Sequence, residues 1–149
     1  MKRILLAVDV QPEFADKDGH YGRILDFIKR SDYDEIVATQ CINSPDSAWV
    51  KYQDWTKLMD GARPLEFEYD RKYEKVGYGL DDYSVLEKDA HYDVIGFNTG
   101  ACVLKVALDL FDKGYDFNVL TDYCYSDSGM DHHQKGLWTL NNLLGKAVL

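Results

Sequence analysis

Asp93-Val94-Ile95-Gly96-Phe97 leads through Asn98-Thr99-Gly100-Ala101 into Cys102-Val103-Leu104-Lys105-Val106-Ala107-Leu108-Asp109-Leu110-Phe111, and the pattern closes at Gly114. The first five residues form a short, nearly continuous apolar run, which reads as a strand buried on both faces. From Ala101 to Lys113 the chain is apolar almost all round, which predicts a largely buried helix with glycine as its stop. A strand, a polar turn and a helix in this order are the repeating unit of a parallel α/β sheet.

Outward from this stretch the same unit recurs. Ile4 to Val10 reads as a first buried strand, Tyr21 to Lys29 places Ile24, Leu25 and Ile28 at helical spacing, and Glu35 to Thr39 reads as a second strand. Ser44-Pro45 offers a capping hydroxyl and a first-turn proline, so a helix is predicted from there to about Asp60, stopped by Gly61. Asp70 to Lys75 is a third strand, made polar by Arg71, Lys72 and Glu74, which assigns it to a sheet edge. Gly79 to Asp89 is a predicted helix, Phe117 to Thr121 a fifth strand, and Asp131 to Leu144 a last helix ending at Gly145. The expected fold is a three-layer α/β/α sandwich around a mostly parallel sheet of five or six strands. Residues 1–149 are expected to form one domain, within the roughly 100–200 residues usual for one.

Composition excludes several functions. Lys and Arg number 17 against 26 Asp and Glu, a net charge of −9 that repels phosphate backbones and argues against nucleic-acid binding. No segment approaches the ~20 apolar residues of a membrane span. The apolar run Ile4 to Val8 ends in the carboxylate of Asp9, which favours a buried strand over a secretion signal. Cys41, Cys102 and Cys124 are odd in number and widely spaced, which predicts free thiols and a cytoplasmic setting.

In open α/β sheets ligands bind outside the carboxyl ends of the strands. There the sequence places Asp9 and Gln11, Gln40 and Cys41, Lys75, the segment Asn98 to Cys102, and Asp122. Cys102 falls in the first turn of the buried helix, with Thr99 as the expected cap. A helix start and a nearby ammonium are expected to lower the thiol below its usual range, for which about 2 kcal/mol suffices. The alternative is a small core residue. Asp9 ends an apolar strand and is either desolvated and reactive or the cap of a loop, and Lys75 alone reads as solvated. Gly96 to Gly100 lacks a following Gly-Lys-Ser/Thr, which argues against a nucleotide binder. Trp49, Tyr52 and Trp55 recur at three-residue spacing, the pattern of core packing, although Trp49 is placed to close a pocket, with Tyr78 at its entrance.

These segments resemble the isochorismatase-like cysteine hydrolase superfamily, which includes nicotinamidases and N-carbamoylsarcosine amidases. Asp9-Val10-Gln11-Pro12-Glu13-Phe14 is similar to its D-x-Q-x-x-F, Lys75-Val76-Gly77-Tyr78 to its lysine segment, and Gly96 to Leu104 to its G-x-x-T-x-x-C-V. Ala107-Leu108-Asp109, Gly114-Tyr115, Thr121-Asp122, Ser126 and His132-His133 carry the likeness over nearly the whole chain. The resemblance implies a catalytic triad of Asp9, Lys75 and Cys102, a cis peptide between Phe97 and Asn98, and an oxyanion hole from the backbone N–H groups of Asn98 and Cys102. It implies a hydrolase that cleaves a small amide or related C–N bond through a thioester, with Gln11, Phe14, Trp49 and Tyr78 as substrate-binding residues and a homo-oligomer as an open option. The alternative is a catalytically silent ligand-binding or interaction protein on the same fold.

Two departures qualify the resemblance. Nicotinamidases carry an Asp-x-His metal cluster after the second strand, where this chain reads Thr39-Gln40-Cys41-Ile42-Asn43. The expectation is therefore no metal and no cofactor, with Asp131-His132-His133 a solvated helix start. The chain is also short for the family, which implies trimmed substrate-covering or subunit-contact elements.

Overall fold

The computed structural model describes residues 1–149. Five strands form one all-parallel sheet: β1 (Lys2–Val8), β2 (Glu35–Cys41), β3 (Arg71–Lys75), β4 (Ala90–Phe97) and β5 (Asp116–Tyr125), in the order β3-β2-β1-β4-β5. Side chains alternate across β1, as the strand period of two requires. Ile4, Leu6 and Val8 pack on one face with α3 (Cys102–Asp112) and α4 (Met130–Leu144), while Leu5 and Ala7 pack on the other with α1 (His20–Arg30). Helices on both faces explain why the central strands are apolar throughout. The result is the three-layer α/β/α architecture, with the polar β3 at a sheet edge.

The sequence reading differs from the structure where side chains bond locally to the backbone. β1 stops at Val8, not Val10, because Asp9 adopts φ 51° and turns the chain out of the sheet. Aspartate tolerates this left-handed region better than most residues. The helix expected from Ser44 to Asp60 is only α2 (Ala48–Gln53). Its cap is Ser47, whose Oγ accepts from Val50 N at 3.2 Å, and it ends at Asp54 with φ 53°. Gly79 to Asp89 holds only a 3₁₀ turn, Tyr83–Val85, because Asp82 Oδ1 accepts from Ser84 N and competes with a longer helix. α3 is buried along Val103, Val106, Ala107 and Leu110, but Phe111 is exposed, since an outer-layer helix has a solvent side.

Gly96 shows why β4 needs glycine just before the turn. Its φ is 128°, and a Cβ there would lie 1.9 Å from Val8 O of the neighbouring strand. The close approach lets the carboxyl ends of β1 and β4 meet.

Candidate active site

β1 is flanked by β2 on one side and β4 on the other, so its carboxyl end is the switch point of the sheet. Asp9 follows β1 there and is wholly buried. Its N–H donates to Thr39 O at 3.2 Å and Thr39 Oγ1 at 3.1 Å, and Thr39 Oγ1 donates to Asp9 Oδ1 at 2.7 Å. Lys75, the last residue of β3, pairs in register with Cys41 at the end of β2 and reaches across it. Its Nζ lies 2.8 Å from Asp9 Oδ2 and donates to Gly77 O at 2.9 Å. Apart from the Lys75 contact Asp9 Oδ2 has no hydrogen-bond donor, so a lone pair on it stays available. Cys102 opens α3 and faces the same pair.

The electrostatics of the thiol reverse the sequence expectation. Burial first, and then the negative charge of Asp9, push Cys102 well above the ordinary thiol range, while Lys75 pulls the other way. The charges nearest the sulfur and its loss of water outweigh the helix end. At rest the site therefore holds a neutral thiol. Burial would lower Lys75, but the negative charge of Asp9 raises it above the usual lysine value, so it stays charged.

Thr99 does not cap α3. The cap position is Ala101, with no side-chain bond, and Thr99 instead shares a 2.6 Å hydrogen bond with Nδ1 of His133. The Phe97–Asn98 peptide is cis. The carbonyl of Asn98 accepts from Ala101 N at 3.0 Å and Val103 N at 3.2 Å, whereas the N–H groups of Asn98 and Cys102 are taken up by no turn, cap or side chain. Two backbone donors of the segment that carries the sulfur are thus without a protein partner.

Above this niche opens a cleft of about 260 Å³. Phe14, Trp49, Trp55, Tyr78 and Phe97 form its aromatic wall, and Cys41 and Cys102 its sulfur-bearing floor. Trp49 packs edge-on to Trp55 at 5.0 Å and to Tyr78 at 5.6 Å, which fixes the wall, while Tyr52 on the same helix is exposed. Gln11 does not reach the cleft. It is wholly buried, its Oε1 accepting from Cys41 N at 2.7 Å and its Nε2 donating to Cys41 O at 3.0 Å, so it ties the segment after β1 to the end of β2.

The sequence reading missed Asp127 and Gln53, which also line the cleft, as does His132, which it had placed in a solvated helix start. Asn98 Nδ2 donates to Asp127 Oδ1 at 2.7 Å, Asp127 N donates to Asn98 Oδ1 at 3.1 Å, and Lys57 Nζ lies 3.2 Å from Asp127 Oδ2. No motif flags Asp127, because its importance lies in a partner 29 residues away. The two adjacent histidines diverge, His132 being exposed at the cleft and His133 buried, so the helix start is not wholly solvated.

The residues after β2 do not fit a metal. Asn43 Nδ2 donates to Trp55 O and Lys57 O, Gln40 bonds Arg63 and Lys72, and the segment offers neither carboxylate nor imidazole. Asp16, Asp18 and His20 bring potential ligand atoms within 4.8 Å, but the Asp16 carboxylate is engaged with the turn before α1 and its first residues, accepting from the backbone of Asp18, His20 and Tyr21 and lying 2.8 Å from His20 Nδ1.

A parallel five-stranded sheet with a cysteine opening the helix after its fourth strand defines a Rossmann-like α/β/α protein of the cysteine-bearing kind. Residues 3–148 match the isochorismatase domain, and the chain belongs to that family. Isochorismatase domain-containing protein 2 of Xenopus laevis is 53% identical over 67 residues, which span 41% of this chain and 33% of that protein. Among solved structures, an isochorismatase-like hydrolase from Alkaliphilus metalliredigens has a TM-score of 0.74 at 17% identity, over 95% of this chain and 92% of that one. A nicotinamidase from Bacillus subtilis has a TM-score of 0.67 at 18% identity, over 99% of both chains. An N-carbamoylsarcosine amidase from Thermoplasma acidophilum has a TM-score of 0.65 at 20% identity, over 99% and 95%. At these identities the structural likeness is one of fold. No helix is long and apolar enough to cross a membrane.

Proposed function

We propose that the protein is a hydrolase that cleaves a small amide or related C–N bond through a thioester on Cys102, with Asp9 as acid and base and Lys75 as electrostatic partner. The observation that carries this reading is a neutral, buried thiol beside an ion pair whose carboxylate Oδ2 meets no donor but Lys75, next to two unclaimed N–H groups.

As substrate fills the cleft, Asp9 Oδ2 accepts the thiol proton. The site's net charge does not change, because a thiolate replaces a carboxylate as the counter-ion of Lys75. The sulfur then attacks the carbonyl carbon, and the N–H groups of Asn98 and Cys102 hold the developing oxyanion. Collapse of the adduct breaks the C–N bond as protonated Asp9 gives its proton to the leaving nitrogen. Water then attacks the thioester with Asp9 as base, which releases the acid and restores the thiol. No step is routed through a metal, in keeping with the donor set after β2. A cleft of about 260 Å³ with five aromatic residues suits a small, flat substrate.

The test is a screen of small amides and carbamoyl compounds by ammonia release, with Cys102→Ala as control. The expected result is turnover in the parent and none in the folded variant. A ligand that binds with equal affinity to both proteins and is never turned over would replace the enzyme with a binding protein.

A further inference from the structure

The segment Asn98–Cys102 carries the thiol and both free amides, yet little in its own sequence holds it. No side chain caps α3, and only the turn bonds to Asn98 O are internal. The remaining support comes from residues 125–136. Thr99 N donates to Tyr125 O at 3.1 Å, and Thr99 Oγ1 meets His133 Nδ1 at 2.6 Å. One helical turn on, Gly136 lies against Gly100 so closely that a Cβ on Gly136 would come within 2.5 Å of Gly100 N and 2.8 Å of Gly100 Cα. Thr99 is wholly buried and His133 is 8% exposed, so water offers no ready substitute for their bond.

Resting on the reading above, we infer that His133 is a positioning residue: α4 seats the nucleophile segment through the His133–Thr99 bond and the Gly136–Gly100 contact, and so fixes where the sulfur and the two N–H groups stand. His133 does not line the cleft, unlike its neighbour His132. Burial, with the charge of His20 next, draws His133 below the ordinary histidine value, so the ring is neutral near pH 7 and adds no charge against the nucleophile segment. Neutral imidazole can hold the threonine hydroxyl without disturbing the charge balance that proton transfer needs. Misplacing reacting groups by about an ångström can cost ~10²-fold in rate, so a bond outside the cleft has leverage over turnover.

The experiment uses the full chain with His133→Leu, His133→Asn, Thr99→Val and the Leu/Val double variant. Asparagine is the conservative choice because its amide falls near the Nδ1 position. kcat and KM are measured on an amide from the screen, and iodoacetamide labelling of Cys102, Cys41 and Cys124 is followed by mass spectrometry. His133→Leu is expected to cut kcat about 10–100-fold with KM within about two-fold. His133→Asn restores most of kcat, and the double variant is no worse than the worse single one, as groups in one bond are not additive. Cys102 gains labelling rate in the Leu variant while Cys41 and Cys124 do not. Unchanged kcat in His133→Leu, additive losses, or equal gains by all three thiols would overturn the inference. If His133→Leu fails to fold, Thr99→Val alone is read by the same criteria. If the parent hydrolyses no amide, the hydrolase reading fails, and the labelling pattern still decides whether α4 seats the loop.

Discussion

The same three strands carry an acid–base cluster at each end, and the two clusters are built to opposite effect. At the amino ends of β1, β2 and β3, Glu35 sits between Lys2 and Arg71. One oxygen accepts from Arg71 Nε and the other lies 2.7 Å from Lys2 Nζ. Both cations are about a third exposed, with 38% and 32% of their side chains in reach of water, so they are cheaply solvated. At the carboxyl ends, Asp9 and Lys75 are wholly buried, 2.8 Å apart. A cluster that water can reach locks strand ends together. One shut away from water beside a thiol keeps a proton acceptor in reserve. The residue types are nearly the same, and the difference is how far each ion pair is removed from water.

The largest test of this contrast removes one cation from each end. Lys75→Met strands a buried carboxylate and is expected to cost about 3–5 kcal/mol in urea unfolding, whereas Lys2→Met should leave the unfolding midpoint nearly unchanged. Equal losses would erase the distinction. Next, Asp9→Asn should move two observables in opposite directions. The Cys102 thiol should ionise at lower pH, seen by ultraviolet thiolate absorbance, because the repelling charge is gone and Lys75 takes the thiolate as its counter-ion. Turnover should nevertheless fall about 10²–10⁴-fold, because the base is lost.

A smaller effect lies in acid. Burial would raise Glu35, but Lys2 and Arg71 together hold it below its ordinary 4.5. A lowered carboxylate stabilises the fold above its unfolded pKa and loses that contribution as pH falls through the folded value. Glu35→Gln should therefore flatten the stability loss below about pH 4.5, and Asp16, held down to about 2 by His20 and backbone N–H groups against its burial, should account for loss persisting further into acid. The smallest effect is expected from Asp131→Ala, whose 3.8 Å pair with Lys135 is exposed on both sides, with stability changing by less than about 0.5 kcal/mol.

Apolar runs made the strands and their layering legible in the sequence, because burial on both faces leaves no other composition for β1 and β4. Helix lengths after β2 and β3 were not legible. Ser47, Asp54 and Asp82 settle them through local bonds that periodicity does not register. Strand ends pointed to Asp9 and the Asn98–Cys102 segment, since sheet topology makes that edge the place to look, whereas Lys75 read as solvated until the resemblance tied it to them. The thiol's direction of shift was misread because helix position is visible in a sequence, while the separation between Cys102 and a carboxylate 93 residues earlier is not. Gln11 shared a motif with Asp9 and was grouped with substrate contacts, yet its amide is consumed by the backbone of Cys41. Asp127 and His133 act through partners brought together only by the fold.

Lys75 stands at the tip of an edge strand and must pass over β2 to meet a carboxylate on the strand beyond. On the proposed reading, a chain that had assembled its centre but not yet docked β3 would own a fold and a sulfur, but not the counter-charge a thiolate needs. Reactivity would then belong to the completed molecule, and its arrival could serve as a chemical signal that assembly has finished.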